Sequence, residues 1–282
     1  MASCADVDPP PLPFEIFLSV IDVLISRAEY SADPISMRFY LSLNSSTKSR
    51  LSAQVSELYT GPQHTVDEGM WRFRMLRLAS QISSKTRSMV HQKFHRITIW
   101  DPYAQRTAFL WVYPKIDRFA PIFCTMPEDC SRLRQALQQP TPEDSTLVQC
   151  IVSIHGMPRE FLQEEYATDI QTVLSLPNLR EITLDSDVVF VSSHHQVSRD
   201  HPHPSDELIP IDSSIFPTLG KWEETHGEAL DAFCRQAQER GVAVFVGFGG
   251  SASRKKVELF PTKDGVRVKL VGYVCTCNGF QQ

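Results

Sequence analysis

Four histidines, His194, His195, His201 and His203, fall within ten residues of chain, beside Asp200 and Asp206. Imidazole and carboxylate at that density could bind zinc or nickel. Pro202 and Pro204 interrupt the run, and no apolar scaffold flanks it to orient the ligands. The expectation is an exposed loop without metal. Cys275 and Cys277 would point their thiols to one side of a strand. Zinc would need two more ligands, and no second cysteine pair has ligand spacing, so both read as buried, reduced thiols. In FVGFGGSASRKK, residues 245 to 256, a strand runs into glycines, serines and basic residues. Backbone N–H groups in such a loop could cradle phosphate. The pattern is neither the dinucleotide fingerprint nor a P-loop, and it reads as a turn. No nucleophile elbow, HExxH helix or kinase signature occurs. The expectation is a non-enzymatic protein with no cofactor.

A basic run lies between Glu68 and Asp101. It holds Arg72, Arg74, Arg77, Lys85, Arg87, Lys93 and Arg96, with His91 and His95, and with Trp71, Phe73 and Phe94 interleaved. Basic residues among aromatics could hold phosphates and stack bases. They could equally form a solvated helix face, or complement an acidic protein partner. The chain carries a formal charge of −5 with a pI near 6.0, which does not favour nucleic acid.

The elements that would position these groups follow from apolar spacing. PPPLPFEIFLSVIDVLISR, residues 9 to 27, reads as a helix that Pro13 opens. Glu15, Ser19, Asp22 and Ser26 form one narrow polar stripe along it. The rest of its circumference is Phe14, Ile16, Phe17, Leu18, Val20, Ile21, Val23, Leu24 and Ile25, far wider than the ~100° apolar arc of an ordinary surface helix. Either one large domain buries this helix, or it lies between its own domain and a second protein. MLRLASQISSKTRSMVHQKF reads as a helix with Met75, Leu78, Ile82 and Met89 on one face, broken at Ser83-Ser84 with Ser84 as a cap. HRITIW then starts a strand.

These two segments resemble an F-box. Leu12, Pro13, Glu15 and Ile16 match the family's opening, and Val20 and Leu24 continue it. Leu76, Leu78, Ala79, Ile82, Ser83, Lys85, Phe94 and Arg96 fit the second half. The likeness is to F-box-like proteins of filamentous fungi, and it covers roughly the first third of the chain. It implies a helical region over about 10–100, interrupted by an insertion at about 26–70. It also implies docking on the Skp adaptor of a cullin-based (SCF-type) ubiquitin ligase, through Leu12, Pro13, Ile16, Val20, Leu24, Leu76, Leu78 and Ile82. The substrate would be an unknown protein. A second register places the middle helix at TKSRLSAQVSELYT, residues 47 to 60, with the third near Val90–Phe94.

Residues 101–282 read as an irregular α/β domain, with α+β as the alternative. TAFLWVY, TLVQCIVSIHG, VAVFVGF and RVKLVGYVCTC read as strands. CSRLRQALQQ, EEYATDIQTVLSL and GEALDAFCRQAQERG read as helices, the last stopped by Gly241. LSLPNLREITLD resembles one leucine-rich-repeat unit, and strand–helix–strand units should pair their strands in parallel. Residues 186 to 222 read as a polar loop. Seven scattered cysteines do not make a disulfide framework, and the apolar run Phe14–Ile25 is too short for a membrane span. The expected setting is cytoplasmic and/or nuclear.

Overall fold

The structure is a computed structural model. It describes residues 13–43, 49–55, 62–101, 106–122, 137, 140, 142–186, 208–211, 213, 217–248 and 256–271. Its helices are α1 (Phe14–Tyr30), α2 (Pro62–Ile82), α3 (Ser84–His91), α4 (Pro142–Cys150), α5 (Pro158–Leu162), α6 (Ala167–Leu174) and α7 (Pro217–Glu239). Its strands are β1 (Ser36–Leu43), β2 (Ser49–Val55), β3 (His95–Asp101), β4 (Arg106–Val112), β5 (Arg118–Pro121), β6 (Ser153–Gly156), β7 (Glu181–Ser186), β8 (Leu208–Pro210), β9 (Ala243–Phe248), β10 (Lys256–Thr262) and β11 (Gly265–Val271).

Among the described residues all eleven strands join one mixed sheet, in the order β4-β3-β2-β1-β5-β6-β7-β9-β10-β11-β8. Mixed α/β architecture therefore holds. The strands β1, β5, β6, β7 and β9 are parallel and lie side by side in chain order. One end is mixed, with β1–β2 and β3–β4 antiparallel and β2–β3 parallel, and the other, β9–β10–β11–β8, is antiparallel.

Period-2 alternation sorts the strand residues onto two faces. Met37, Phe39, Phe119, Ile154, Ile182, Leu184, Val244 and Val246 point into the large core. Leu147, Val148 and Ile151 around α4, Phe161 and Leu162 of α5, Ile170, Val173 and Leu174 of α6, and Leu230, Phe233, Cys234 and Ala237 of α7 belong to the same cluster. The C-terminal helices thus serve one side of the parallel strands. The other side carries Ser36, Arg38, Arg118, Ala120, Ser153, His155, Glu181, Thr183 and Asp185.

A second, smaller core joins α1, α2 and α3. It contains Ile21, Ile25, Ala28, Leu76, Ala79, Val90 and Phe94, and it includes Trp111 and Tyr113 at the end of β4. Gly69 lets α2 approach β4, since a Cβ there would meet Leu110 Cδ1 at 2.5 Å.

Several expectations need correction. The region 10–100 is not helical throughout: the supposed insertion at 26–70 contains β1 and β2, in the same sheet as β5. The sheet also crosses residue 101 unbroken, through β3. The alternative register at 47–60 falls on β2, where Leu51 and Ala53 alternate into the core, so the helix that follows α1 is α2. TLVQCIVSIHG is divided. Its first half completes α4 and only Ser153–Gly156 is strand, because Leu147, Val148 and Ile151 can share a helical face as readily as they fill a buried strand. The cap of α3 is Ser83, whose hydroxyl accepts from Thr86 N while the Thr86 hydroxyl accepts from Ser83 N. The last long helix begins at Pro217, within the span read as loop, and bends at His226.

Other expectations match. LSLPNLREITLD forms the end of α6, a turn and β7, and β7 is parallel to β6 and β9. TAFLWVY and VAVFVGF are β4 and β9. Gly241, at φ +70°, follows α7. The histidine cluster at 194–203, the cysteines 275 and 277 and the loop 249–255 lie outside the described residues. So does the expected helix at 130–139, except for Leu137, which is buried.

Candidate functional site

The spacing of α1 decides which of its apolar residues reach the core. Phe17, Ile21, Leu24, Ile25 and Ala28 recur every three or four residues and pack on the small core. Ile16, Val20 and Val23 sit on the adjoining flank and remain 50%, 48% and 65% exposed. The same division occurs on α2. Leu76 and Ala79 are buried and Trp71 and Met75 half-buried, while Leu78 and Ile82 are 59% and 43% exposed.

The two helices run in opposite directions. Lys85, just beyond the end of α2, places its Nζ 5.4 Å from the ring centroid of Phe14 at the start of α1. Asp33, just beyond the end of α1, donates its N–H to Glu68 Oε1 in the first half of α2, at 3.1 Å. Exposed apolar side chains thus occur on both members of an antiparallel helix pair. Phe14, Met70, Phe73 and Tyr30 are exposed on the same two helices. Arg27, Arg74, Arg77, Lys85 and Arg87 are exposed cations on or beside them.

The predicted adaptor-binding residues divide accordingly. Leu12 lies outside the described residues. Pro13 is exposed at the head of α1, and Ile16, Val20, Leu78 and Ile82 are exposed. Leu24 is half-buried against the small core. Leu76 is fully buried, so its contribution is to the core and not to a docking surface.

The basic run is not one surface. Arg72 has no exposed surface and is the centre of a polar network. Its Nε donates to Glu68 Oε1 at 2.8 Å, and its Nη1 and Nη2 donate to the two Asp117 oxygens at 2.6 and 2.8 Å. It also donates to the carbonyls of Trp111 and Asp33. Asp117 in turn accepts from the N–H groups of Ile35 and Tyr113. Burial opposes the Arg72 charge, but Asp117 and then Glu68 outweigh it and raise its pKa. This network ties α2 to the end of β4 and to the residues leading into β1 and β5. The Glu68–Arg72 spacing of four was the one sequence signal for it.

Lys93 is also engaged, at 2.5 Å from Glu29 Oε2. Tyr113 Oη donates to the other Glu29 oxygen, and Lys115 lies 3.4 Å from it. The hydrogen bonds from Lys93 and Tyr113 hold the Glu29 carboxyl at about 2, below its ordinary 4.5. Burial lowers the pKa of His91 and of His95. Arg96 stacks over Phe109 at 4.0 Å. Of the run, Arg74, Arg77, Lys85 and Arg87 remain as exposed cations on α2 and α3.

Among the described residues no group of three His, Cys, Asp or Glu is placed to hold a metal ion, and no helix is long and apolar enough to cross a membrane. Cys150 and Cys234 are buried free thiols, and burial raises each to about 12. Compared with protein-family models, curated proteins and solved structures, the chain matches none.

Proposed function

We propose that this chain is a non-enzymatic receptor subunit of a cullin-based ubiquitin ligase, docking on the Skp adaptor through α1 and α2. On this reading the partly leucine-rich-repeat-like sheet carries the surface for a protein substrate. One observation supports the reading above others: Ile16, Val20, Leu78 and Ile82, four residues of the F-box-like pattern, are left in solvent by a fold that buries their helical neighbours Ile21, Ile25, Leu76 and Ala79.

The energetics say how large the interface must be. Full burial of an aliphatic side chain is worth about 1.5–3 kcal/mol, so each half-exposed one has about half of that left to gain. Association costs roughly 4–15 kcal/mol. The flank of α1 alone is therefore insufficient, and both helices must contribute. The exposed arginines and lysines beside them favour an acidic partner, which would speed encounter more than it tightens the complex.

Biolayer interferometry of the purified chain on immobilised Skp adaptor tests the reading. Saturable binding is expected, lost in Val20→Asp and in Leu78→Asp but kept in Glu228→Gln, a substitution on exposed α7 surface. No binding by the unsubstituted chain rejects the adaptor role.

A further inference from the structure

The two edges of the sheet are unlike. β8 has three residues and ends in Pro210, a short, proline-stopped edge that offers little to a further strand. β4 has seven residues, and all seven pair with β3 without a bulge. From Thr107 to Val112 it carries neither a proline nor a charged side chain.

Register fixes which backbone groups of β4 face outwards. In an antiparallel pair each residue turns its N–H and C=O either both towards the partner strand or both away, and the two kinds alternate. Trp111 O accepts from Arg72 Nη1 at 3.1 Å, and Tyr113 N–H donates to Asp117 Oδ2 at 2.7 Å. Both partners lie on the side of β4 away from β3, so Thr107 and Phe109, which alternate in step with Trp111, also turn their N–H and C=O groups outwards. Arg72 and Asp117 close the C-terminal half of this edge. Among the described residues nothing pairs with the Thr107–Phe109 half, and both of those side chains are exposed.

Side-chain chemistry narrows the occupant. On the face away from the large core, Thr98 lies opposite Phe109 and Trp100 opposite Thr107, all four exposed. Arg96 lays its guanidinium over the Phe109 ring at 4.0 Å, one strand nearer the edge than its own backbone. Among the described residues it has no carboxylate partner. No acidic residue occurs from Gly69 to Trp100 or from Arg106 to Tyr113. A strand laid against Thr107 and Phe109 would bring a carboxylate on this face within reach of Arg96. A second copy of the chain would bring no such carboxylate from its own β4. The stretch that Arg72 leaves open is also much smaller than the roughly 800 Å² per partner of a stable interface.

We infer that the Thr107–Phe109 edge of β4 takes up an extended, acidic peptide segment as a further strand. Backbone hydrogen bonds to Thr107 and Phe109 hold it, and Arg96 selects a carboxylate beside Phe109. Its role as part of a substrate rests on the receptor reading above, but strand addition is measured without the Skp adaptor, so either can fail alone.

The test titrates the full chain into the fluorescein-labelled peptide TEVEVET and follows anisotropy. In extended form one face of this peptide carries all its glutamates. Saturable binding is expected. It should be at least tenfold weaker for TKVKVKT, which reverses the charge, and for TEVEVET N-methylated at its central glutamate, which keeps the charge but loses a ladder donor. Thr107→Pro, which removes an outward N–H and leaves the β3 ladder intact, should weaken binding by at least as much. If that variant does not fold, Arg96→Glu should reverse the preference between the glutamate and lysine peptides. Glu228→Gln on α7 should bind as the unsubstituted chain does. Absence of saturable binding, equal binding of the N-methylated peptide, or an unchanged preference in Arg96→Glu would overturn the assignment. A concentration-dependent dimer in sedimentation, lost in Thr107→Pro, would assign the edge to a second copy and overturn it too.

Discussion

Arg72 and the pair Arg38 and Arg118 are the same residue type in opposite circumstances. Arg72 is wholly buried, and every direction of its guanidinium meets an acceptor: Glu68, Asp117 and two backbone carbonyls. Arg38 and Arg118 are only half-buried, yet they make no ion pair among the described residues. A charge matched on all sides is a structural fastener. A half-buried charge with no ion pair keeps part of its hydration instead. The helices show the same contrast in apolar form, since Leu76 is consumed by the core while Leu78, two residues on, remains in solvent.

If that contrast is right, Arg72→Met should have the largest effect, about 3–5 kcal/mol of lost stability in urea unfolding, because it strands the buried Asp117 carboxylate. Pairing it with Asp117→Asn should recover part of the loss. A loss below about 1 kcal/mol would mean that the network is dispensable.

Glu29 is a second saturated charge and gives a pH test. Its carboxyl is held at about 2 against an ordinary 4.5, so its contribution is complete above about pH 4.5 and disappears as the pH falls towards 2. Over that interval the unsubstituted chain should lose stability more steeply than Glu29→Gln, as read by thermal melts at successive pH values. Parallel curves would remove Glu29 from the account.

Smaller effects sharpen the other half. Ser83→Ala should cost about 1 kcal/mol, because Thr86 N–H loses its cap acceptor. Arg118→Gln should change stability by less than about 1 kcal/mol, since its guanidinium is only half-buried and makes no ion pair among the described residues. Val20→Asp and Leu78→Asp should stay within about 0.5 kcal/mol of the unsubstituted chain in urea unfolding, since neither side chain is buried. A large loss from either would show that the exposed flank is part of the core after all.

Much of the fold was legible where apolar spacing was unambiguous. The helix from Phe14, the helix containing Leu230 and Phe233, the strand from Ala243 and the α6–β7 unit all follow from periodicity and stop signals. Legibility failed at TLVQCIVSIHG, where a continuous apolar run fits two periods at once. It failed again at residues 36–55: the F-box-like pattern on either side made them an insertion, while the alternation of Met37, Phe39, Leu51 and Ala53 marked strands. Of the residues proposed to dock, the sequence pattern singled out Leu76 and Leu78 alike, and only packing separated them.

What the sequence determined alone is the excess of apolar circumference on α1, because the count of aliphatic residues per turn exceeds what one core contact can cover. It also determined the absence of any recognisable catalytic signature, since none of those spacings occurs. Tertiary structure decided which cations matter. Arg72 belongs to a conspicuous basic run and became interior, whereas Arg38 and Arg118 are eighty residues apart and unremarked in the chain. Parallel pairing of β1 with β5 brings them together. The physical reason is that helical neighbours are set by local spacing, while neighbours across a sheet are set by which strands pair, and a single chain does not display that pairing.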